Sequence, residues 1–388
     1  MGGLLSKLRA MEIEADTIPQ PASIQEEVPF WHEVIHYSMT EFQEPLEWRD
    51  DSYFTAFREK LPEGLTCRDI LFLDTETTGL SGSAGTLAFQ VGIGYFTEED
   101  FVVEQYLIRH YGQEAAMLKS LSTRLRRFRM LCTFNGATFD VPLLQSRYVM
   151  NRLDSDVFPD FHADVLYPAR RLWKMRLKDC SLGHLENALL GIEREDDLPG
   201  ALVPGVYFQY LKDGNFAPLQ KILEHNQQDI VSLARLYFHL LNQIAHPEQM
   251  AHPRDLLSLA RSQSKSGEGE KSLDNYRLLC DTPLRAQGWY ALAVNAKRNG
   301  HYDEAIQDLE EMLQSGQNQV VALEALAKLW EHQKRDCVRA MDYTRQALLL
   351  LSEPGLRDFD PEKIQFQKDL QKRYDRLRRK LGNHKQES

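Results

Sequence analysis

The 388-residue chain contains no C-x-x-C pair: Cys67, Cys132, Cys180, Cys280 and Cys337 stand far apart. That scatter suggests neither a disulfide framework nor a zinc site, and a reducing, cytoplasmic setting is expected. No apolar run reaches the roughly 18 residues a membrane span needs, and the first residues lack the apolar core of a secretion signal. Positive charge is also scarce. Against 57 Asp and Glu stand 46 Lys and Arg, a net charge of −11 at pH 7. Nonspecific wrapping of nucleic acid is therefore not expected, although a local basic channel remains open. Neither a G-x-G-x-x-G run nor a Lys-bearing phosphate loop occurs, which disfavours a nucleotide-binding reading. What remains is ordinary for a globular chain, 43% hydrophobic and 27% charged, with length for two or three domains and a sizeable core.

The strongest positive signal is Ile70-Leu71-Phe72-Leu73-Asp74-Thr75-Glu76-Thr77-Thr78-Gly79. Four consecutive apolar residues read as a central strand buried on both faces. Asp74 and Glu76 are two apart, so both leave the same face of that strand. An unpaired charge there is costly, and hard divalent cations favour such oxygen ligands. The bland alternative is a solvated acidic turn, but matching acids recur downstream. Asp140 follows Asn135 at a strand-to-helix turn, and His225 and Asp229, four residues apart, share one side of a long helix.

Along the chain, residues 1–60 show no sustained period, and Pro29-Phe30-Trp31 and Trp48 read as anchors lying on the next domain. A hairpin is expected from Leu87–Phe96 and Phe101–Ile108, then a helix over Ala115–Arg129 and a strand over Met130–Phe134. A helix over Thr138–Asn151 and a strand over Phe161–Leu166 follow, then helices at Ser181–Leu190, Gly205–Leu211 and Phe216–Ile244. The C-terminal third repeats itself. Leu259-Ala260, Leu292-Ala293 and Leu326-Ala327 recur at spacings of 33 and 34, with Gly267, Gly300 and Lys334 at the matching turn positions. Each precedes a second helical stretch, the pattern of stacked helix pairs that resembles tetratricopeptide repeats. The third unit departs from it, with Lys334 in place of glycine and Ala340 one residue late. The basic run Arg373–Lys380 reads as a solvated face.

Asp-x-Glu on a first strand, Asn-x-x-x-Phe-Asp later, and a helical Asp preceded by an imidazole together resemble the DEDD exonucleases. More closely, Asp74–Phe89, Tyr167–Trp173 and His225-Asn226-x-x-Asp229-Ile230 look like the YprB-type ribonuclease H-like exonucleases. The resemblance implies a ribonuclease H-like α/β fold, a mixed sheet flanked by helices, followed by an all-α repeat domain. The division expected is an N-terminal extension over 1–66 packed on the nuclease domain, that domain over 67–246, repeats over 252–353, and a capping helix and tail over 354–388.

It also implies a cofactor: two Mg²⁺ or Mn²⁺ ions held by Asp74, Glu76, Asp140 and Asp229. His225 is the candidate general base. It departs from the family pattern, in which a catalytic His usually sits five residues before the last Asp and the four-residue position carries Tyr. A helix-face His bonded to a neighbour is the alternative. Thr77, Gly79, Asn135, Arg170, Arg171 and Trp173 are candidate substrate contacts. Gly82 and Gly85 join Gly79 as points of close backbone approach, though hairpin geometry also calls for glycine, and Asn135 also suits a plain turn. The arginines, Lys174, Arg176 and Trp173 combine charge with a ring suited to base stacking, or form an amphipathic helix with solvated charges. Asp164 reads as a support for the site or as an ion-pair partner of Arg170.

The function expected is a metal-dependent 3′→5′ exonuclease on single-stranded nucleic acid, with the repeats as a docking surface for a protein partner. Two alternatives stand beside it: a ribonuclease H-like endonuclease, and a non-catalytic repeat adaptor with a vestigial nuclease fold. Met1-Gly2-Gly3-Leu4-Leu5-Ser6 fits the loose myristoylation pattern. An unmodified opening is the expected reading, since acylation also requires a host with the transferase.

Overall fold

Strand formation follows the apolar runs. A computed structural model describes residues 29–39, 42, 50–79, 85–194, 198–352 and 361–384. The acylation pattern, Trp48 and Gly82 lie outside the described residues. Among those residues the strands are β1 (Trp31–Ser38), β2 (Ile70–Thr77), β3 (Ala88–Phe96), β4 (Asp100–Leu107), β5 (Met130–Thr133) and β6 (Phe161–Asp164). They form one sheet in the order β1-β4-β3-β2-β5-β6. The four strands from β1 to β2 pair antiparallel, and β5 and β6 add in parallel. The β3–β4 hairpin turns where Thr97 Oγ1 accepts the amides of Glu99 (3.3 Å) and Asp100 (3.0 Å).

Trp31–Ser38, within the stretch that shows no sustained period, forms strand β1. Trp31 opens an edge strand whose residues pair from Trp31↔Leu107 to Ser38↔Asp100. It escaped detection because an edge strand packs only one side, and its sequence WHEVIHYS carries polar residues on both parities.

The helices of this part are α1 (Asp50–Phe57), α2 (Glu114–Leu125), α3 (Asp140–Met150), α4 (Leu166–Leu177), α5 (Leu182–Leu185), α6 (Val203–Asp213) and α7 (Ala217–Ala245). α5 continues as a π-helical turn over Glu186–Leu190. α2 stops four residues short of expectation. The chain from Arg126 turns back so that Arg129 N can bond Asp69 O at 3.0 Å, beside the start of β2. α7 lies across β2, β3 and β4. Its buried face is apolar (Leu219, Ile222, Leu223, Ile230, Leu233) with one amide among them, Asn226. Two strand glycines admit it. A Cβ on Gly92 would stand 2.1 Å from Asn226 Oδ1, and one on Gly94 would stand 2.4 Å from Ile230 Cγ2.

The chain divides into two compact units, the first running to Arg170 and including Asp179–Ala245, the second combining Arg171–Lys178 with His246 onward. The second unit contains α8 (Pro253–Lys265), α9 (Gly269–Leu279), α10 (Arg285–Arg298), α11 (Tyr302–Gln314), α12 (Gln319–His332), α13 (Cys337–Ser352) and α14 (Pro361–His384). Each of these helices packs on its neighbour in sequence, around buried Ala260, Ala293 and Ala327. Gly267 and Gly300 take φ of +84° and +81° at the first two turns. In the third, Arg335 carries the left-handed backbone with φ of +56°. The basic run on α14 is not a purely solvated face. Arg373, Arg376 and Lys380 close on the buried Glu331 carboxylate at 2.6, 2.6 and 3.1 Å, because a lone carboxylate under α14 would be costly. No helix of the described residues is long and apolar enough to cross a membrane.

Candidate active site

The end of β2 and the middle of α7 form the site. Asp74 and Glu76 project from β2 opposite Gly92 and Gln90 of β3, and the pairing register shifts between Glu76 and Thr77. α7 supplies His225, Asn226 and Asp229 from successive positions on the side that meets the sheet.

Asn226 fixes Asp74. Its Nδ2 donates to Asp74 Oδ2 at 2.9 Å. Its Oδ1 accepts from Gln90 Nε2 at 3.2 Å and Gln105 Nε2 at 3.1 Å. Gln105 also donates to Leu223 O at 2.8 Å, which sets the sense of the whole relay. Gln90, Gln105 and Asn226 are all fully buried. Burial, then the charges of Asp229, Asp140 and Glu76, push the Asp74 carboxyl well above the usual range, with Asn226 opposing. Asp229, Asp140 and Glu76 therefore all lie within electrostatic reach of Asp74.

They do not approach equally. His225 Nε2 lies 3.4 Å from Asp229 Oδ2 and 3.8 Å from Glu76 Oε1. Asp140, the first residue of α3, instead accepts a hydrogen bond from Thr75, which by strand alternation faces the other way from Asp74 and Glu76. Burial raises the Asp140 carboxyl to about 6. The Asp229 carboxyl is raised by burial and drawn back by His225 and Arg194.

Arg194 is the residue that motif reading missed. Its Nη2 donates to Asp229 Oδ1, its Nε to Glu186 Oε2 at 2.5 Å, and its Nη1 approaches His225 Nδ1 at 3.1 Å. Against the lowering effect of burial, those carboxylates hold its guanidinium firmly charged. Glu186 sits on the π-helical turn, a distortion that often marks functional positions. Both residues lie between the matched motifs, and nothing in the local sequence pattern signalled them.

Asp164 supports Asp140 through the intervening turn. Its carboxylate accepts the amides of Asn135 (2.8 Å), Ala137 (3.0 Å) and Leu166 (3.1 Å). Asn135 is exposed and left-handed, with φ of +70°, and its Oδ1 accepts from Thr138 Oγ1 at 3.0 Å. Thr77 Oγ1 donates to Gly79 O at 2.8 Å, closing the turn after β2. A Cβ on Gly79 would meet Thr86 Oγ1 at 3.3 Å, whereas one on Gly85 would meet nothing within 4 Å.

The expected stacking surface on α4 is corrected. Trp173 is only 1% exposed, so its ring cannot take a base. Its burial follows the helical period of Ala169, Leu172 and Trp173 on one face, leaving Arg170, Arg171 and Lys174 exposed on the other. Arg170 belongs to the first unit, whereas Arg171 and Trp173 belong to the second.

Hard oxygen donors in excess of local positive charge suit Mg²⁺ or Mn²⁺. In the present arrangement the acids are engaged elsewhere. Asp229 is held by Arg194 and Asp140 by Thr75, and no group of three or more His, Cys, Asp or Glu able to hold a metal ion occurs among the described residues. The donor chemistry fits the implied cations.

A family model described as the RNase_H superfamily matches residues 71–241. The chain is also similar to YprB, an uncharacterized protein of Bacillus subtilis strain 168, at 31% identity over 330 residues, 83% of this chain and 79% of the relative. The order of the sheet, the acids at the end of β2 and these two likenesses agree: the chain belongs to the RNase H superfamily of nucleic-acid hydrolases, in a group with YprB.

Proposed function

We propose that the first unit is a divalent-cation-dependent 3′→5′ exonuclease acting on single-stranded nucleic acid. The observation that carries this reading is the gathering of Asp74, Glu76, His225 and Asp229 at one strand end, with Asp140 close enough for its charge to act on Asp74. Asp74, Glu76 and Asp229 would hold one side of a two-cation centre, with Asp140 completing the other. When bound, such ions supply an activated water and offset charge on the scissile phosphate and the departing 3′ oxygen. His225 accepts the proton of the attacking water as the phosphorus–oxygen bond to that 3′ oxygen breaks. Asn226 keeps Asp74 oriented throughout through Gln90 and Gln105. The stacked helices of the second unit serve as a docking surface for a protein partner.

End-labelled single-stranded DNA and RNA, incubated side by side with Mg²⁺ or Mn²⁺, test this. Mononucleotide products that vanish in Asp74→Asn and fall steeply in His225→Ala are expected. Internal fragments would favour the endonuclease alternative. Absence of any Asp74-dependent cleavage would leave the adaptor reading.

A further inference from the structure

Arg194 makes three contacts within the site, and two of them engage groups that the nuclease reading needs. Its Nη2 donates to Asp229 Oδ1, so that carboxylate oxygen is turned to a guanidinium. Its Nη1 lies 3.1 Å from His225 Nδ1. A guanidinium has donors and no acceptors, so Nδ1 must be the accepting nitrogen. The ring proton then resides on Nε2, the nitrogen that faces Asp229 at 3.4 Å and Glu76 at 3.8 Å. With both nitrogens engaged, the imidazole has no lone pair available to a water. The third contact, Nε to Glu186 Oε2 at 2.5 Å, is to an acid whose side chain is 1% exposed. Gln228 Nε2 steadies the other Glu186 oxygen at 3.4 Å.

We infer that Arg194 is the resident counter-ion of this site and that a divalent cation binds at Asp229 by displacing its guanidinium. This deepens the exonuclease reading and rests on it. Glu186 makes the exchange feasible. When Asp229 turns to the incoming ion, Arg194 keeps its Nε bond to Glu186 and is not left as an unpaired buried charge. The same movement releases His225 Nδ1. Cation binding and unmasking of the general base are thus one event. The backbone that carries both partners is the π-helical turn Glu186–Leu190 with the stretch from Gly191, whose φ is +66°, to Arg194.

Calorimetric titration of the full chain with MnCl₂ at fixed ionic strength tests the competition. Arg194→Gln is expected to bind Mn²⁺ at least tenfold more tightly than the wild type, and Arg194→Lys, which keeps a charge on a narrower head, to fall between them. Unchanged or weaker binding by Arg194→Gln overturns the inference. A second measurement needs no variant: saturating Mn²⁺ should speed amide hydrogen exchange across residues 186–194 in the wild type, and unaltered exchange there overturns it equally. The two levels separate cleanly. If neither the wild type nor Arg194→Gln binds Mn²⁺, the nuclease reading falls and takes this one with it. If the wild type binds, Asp74→Asn does not, and Arg194→Gln matches the wild type, only the displacement role is lost.

Discussion

Asn226 holds Asp74 across 152 residues of chain, its Nδ2 donating to Asp74 Oδ2 at 2.9 Å. The amide can face only that way, because Gln90 and Gln105 occupy its oxygen. Asn226→Ala should therefore leave two buried glutamine donors without that acceptor, as well as freeing Asp74. A loss of about 1–3 kcal/mol is expected on urea unfolding, together with weaker Mn²⁺ binding. Stability within about 0.5 kcal/mol of wild type would show that the relay is not holding the fold.

Gly92 is the steric counterpart of that bond, since an added Cβ would stand 2.1 Å from Asn226 Oδ1. Gly92→Ala should cost about 1–3 kcal/mol through overpacking. In an Asn226→Ala background the clash is gone, so the penalty should shrink. A double-mutant cycle with coupling below about 0.5 kcal/mol would place the strain elsewhere.

Asp164 gathers the amides of Asn135, Ala137 and Leu166. Asp164→Ala should destabilise by about 2–4 kcal/mol, as expected for several bonds to one buried charge, and should accelerate hydrogen exchange over residues 135–140. Asp164→Asn retains one acceptor oxygen and should fall between. Exchange at 135–140 equal to wild type in Asp164→Ala would contradict this account.

Glu104 supplies the pH dependence. Burial raises its carboxyl, but bonds from His32, Tyr106 and Tyr95 and the charge of Arg124 outweigh that and bring it down to about 2, from an ordinary 4.5. The folded chain thus holds the proton less tightly than the unfolded one. The contribution, of order 3 kcal/mol, is fully present above pH 4.5 and fades as the pH falls toward 2. Glu104→Gln should lower the melting temperature at pH 6, with the gap to wild type closing between pH 4.5 and 2.5. A gap independent of pH would mean that packing, not charge, is responsible.

Legibility from sequence followed burial and local period. Ile70–Leu73 could only be a central strand, and the spacing of His225 and Asp229 matched one side of α7. Where the deciding force was tertiary, local pattern was silent. β1 is a strand because β4 offers it an open edge, not because WHEVIHYS alternates cleanly. Gln90 and Gln105 looked like chance polar residues in apolar strands, yet they orient Asp74 through Asn226. Arg194 belongs to no repeat or motif, and only the fold shows that its charge answers Glu186 and Asp229. Trp173 misled because a ring beside arginines suggested stacking, whereas helical period turned it inward.

The placement of α7 has a consequence for how the protein comes into being. Strands β1 to β6 are all encoded before Leu166, whereas Asn226 and Asp229 lie beyond them on a helix that ends at Ala245. While β1 to β6 emerge from a ribosome, Asp74 still waits for its tether. Any chemistry at this site switches on only once translation has passed α7.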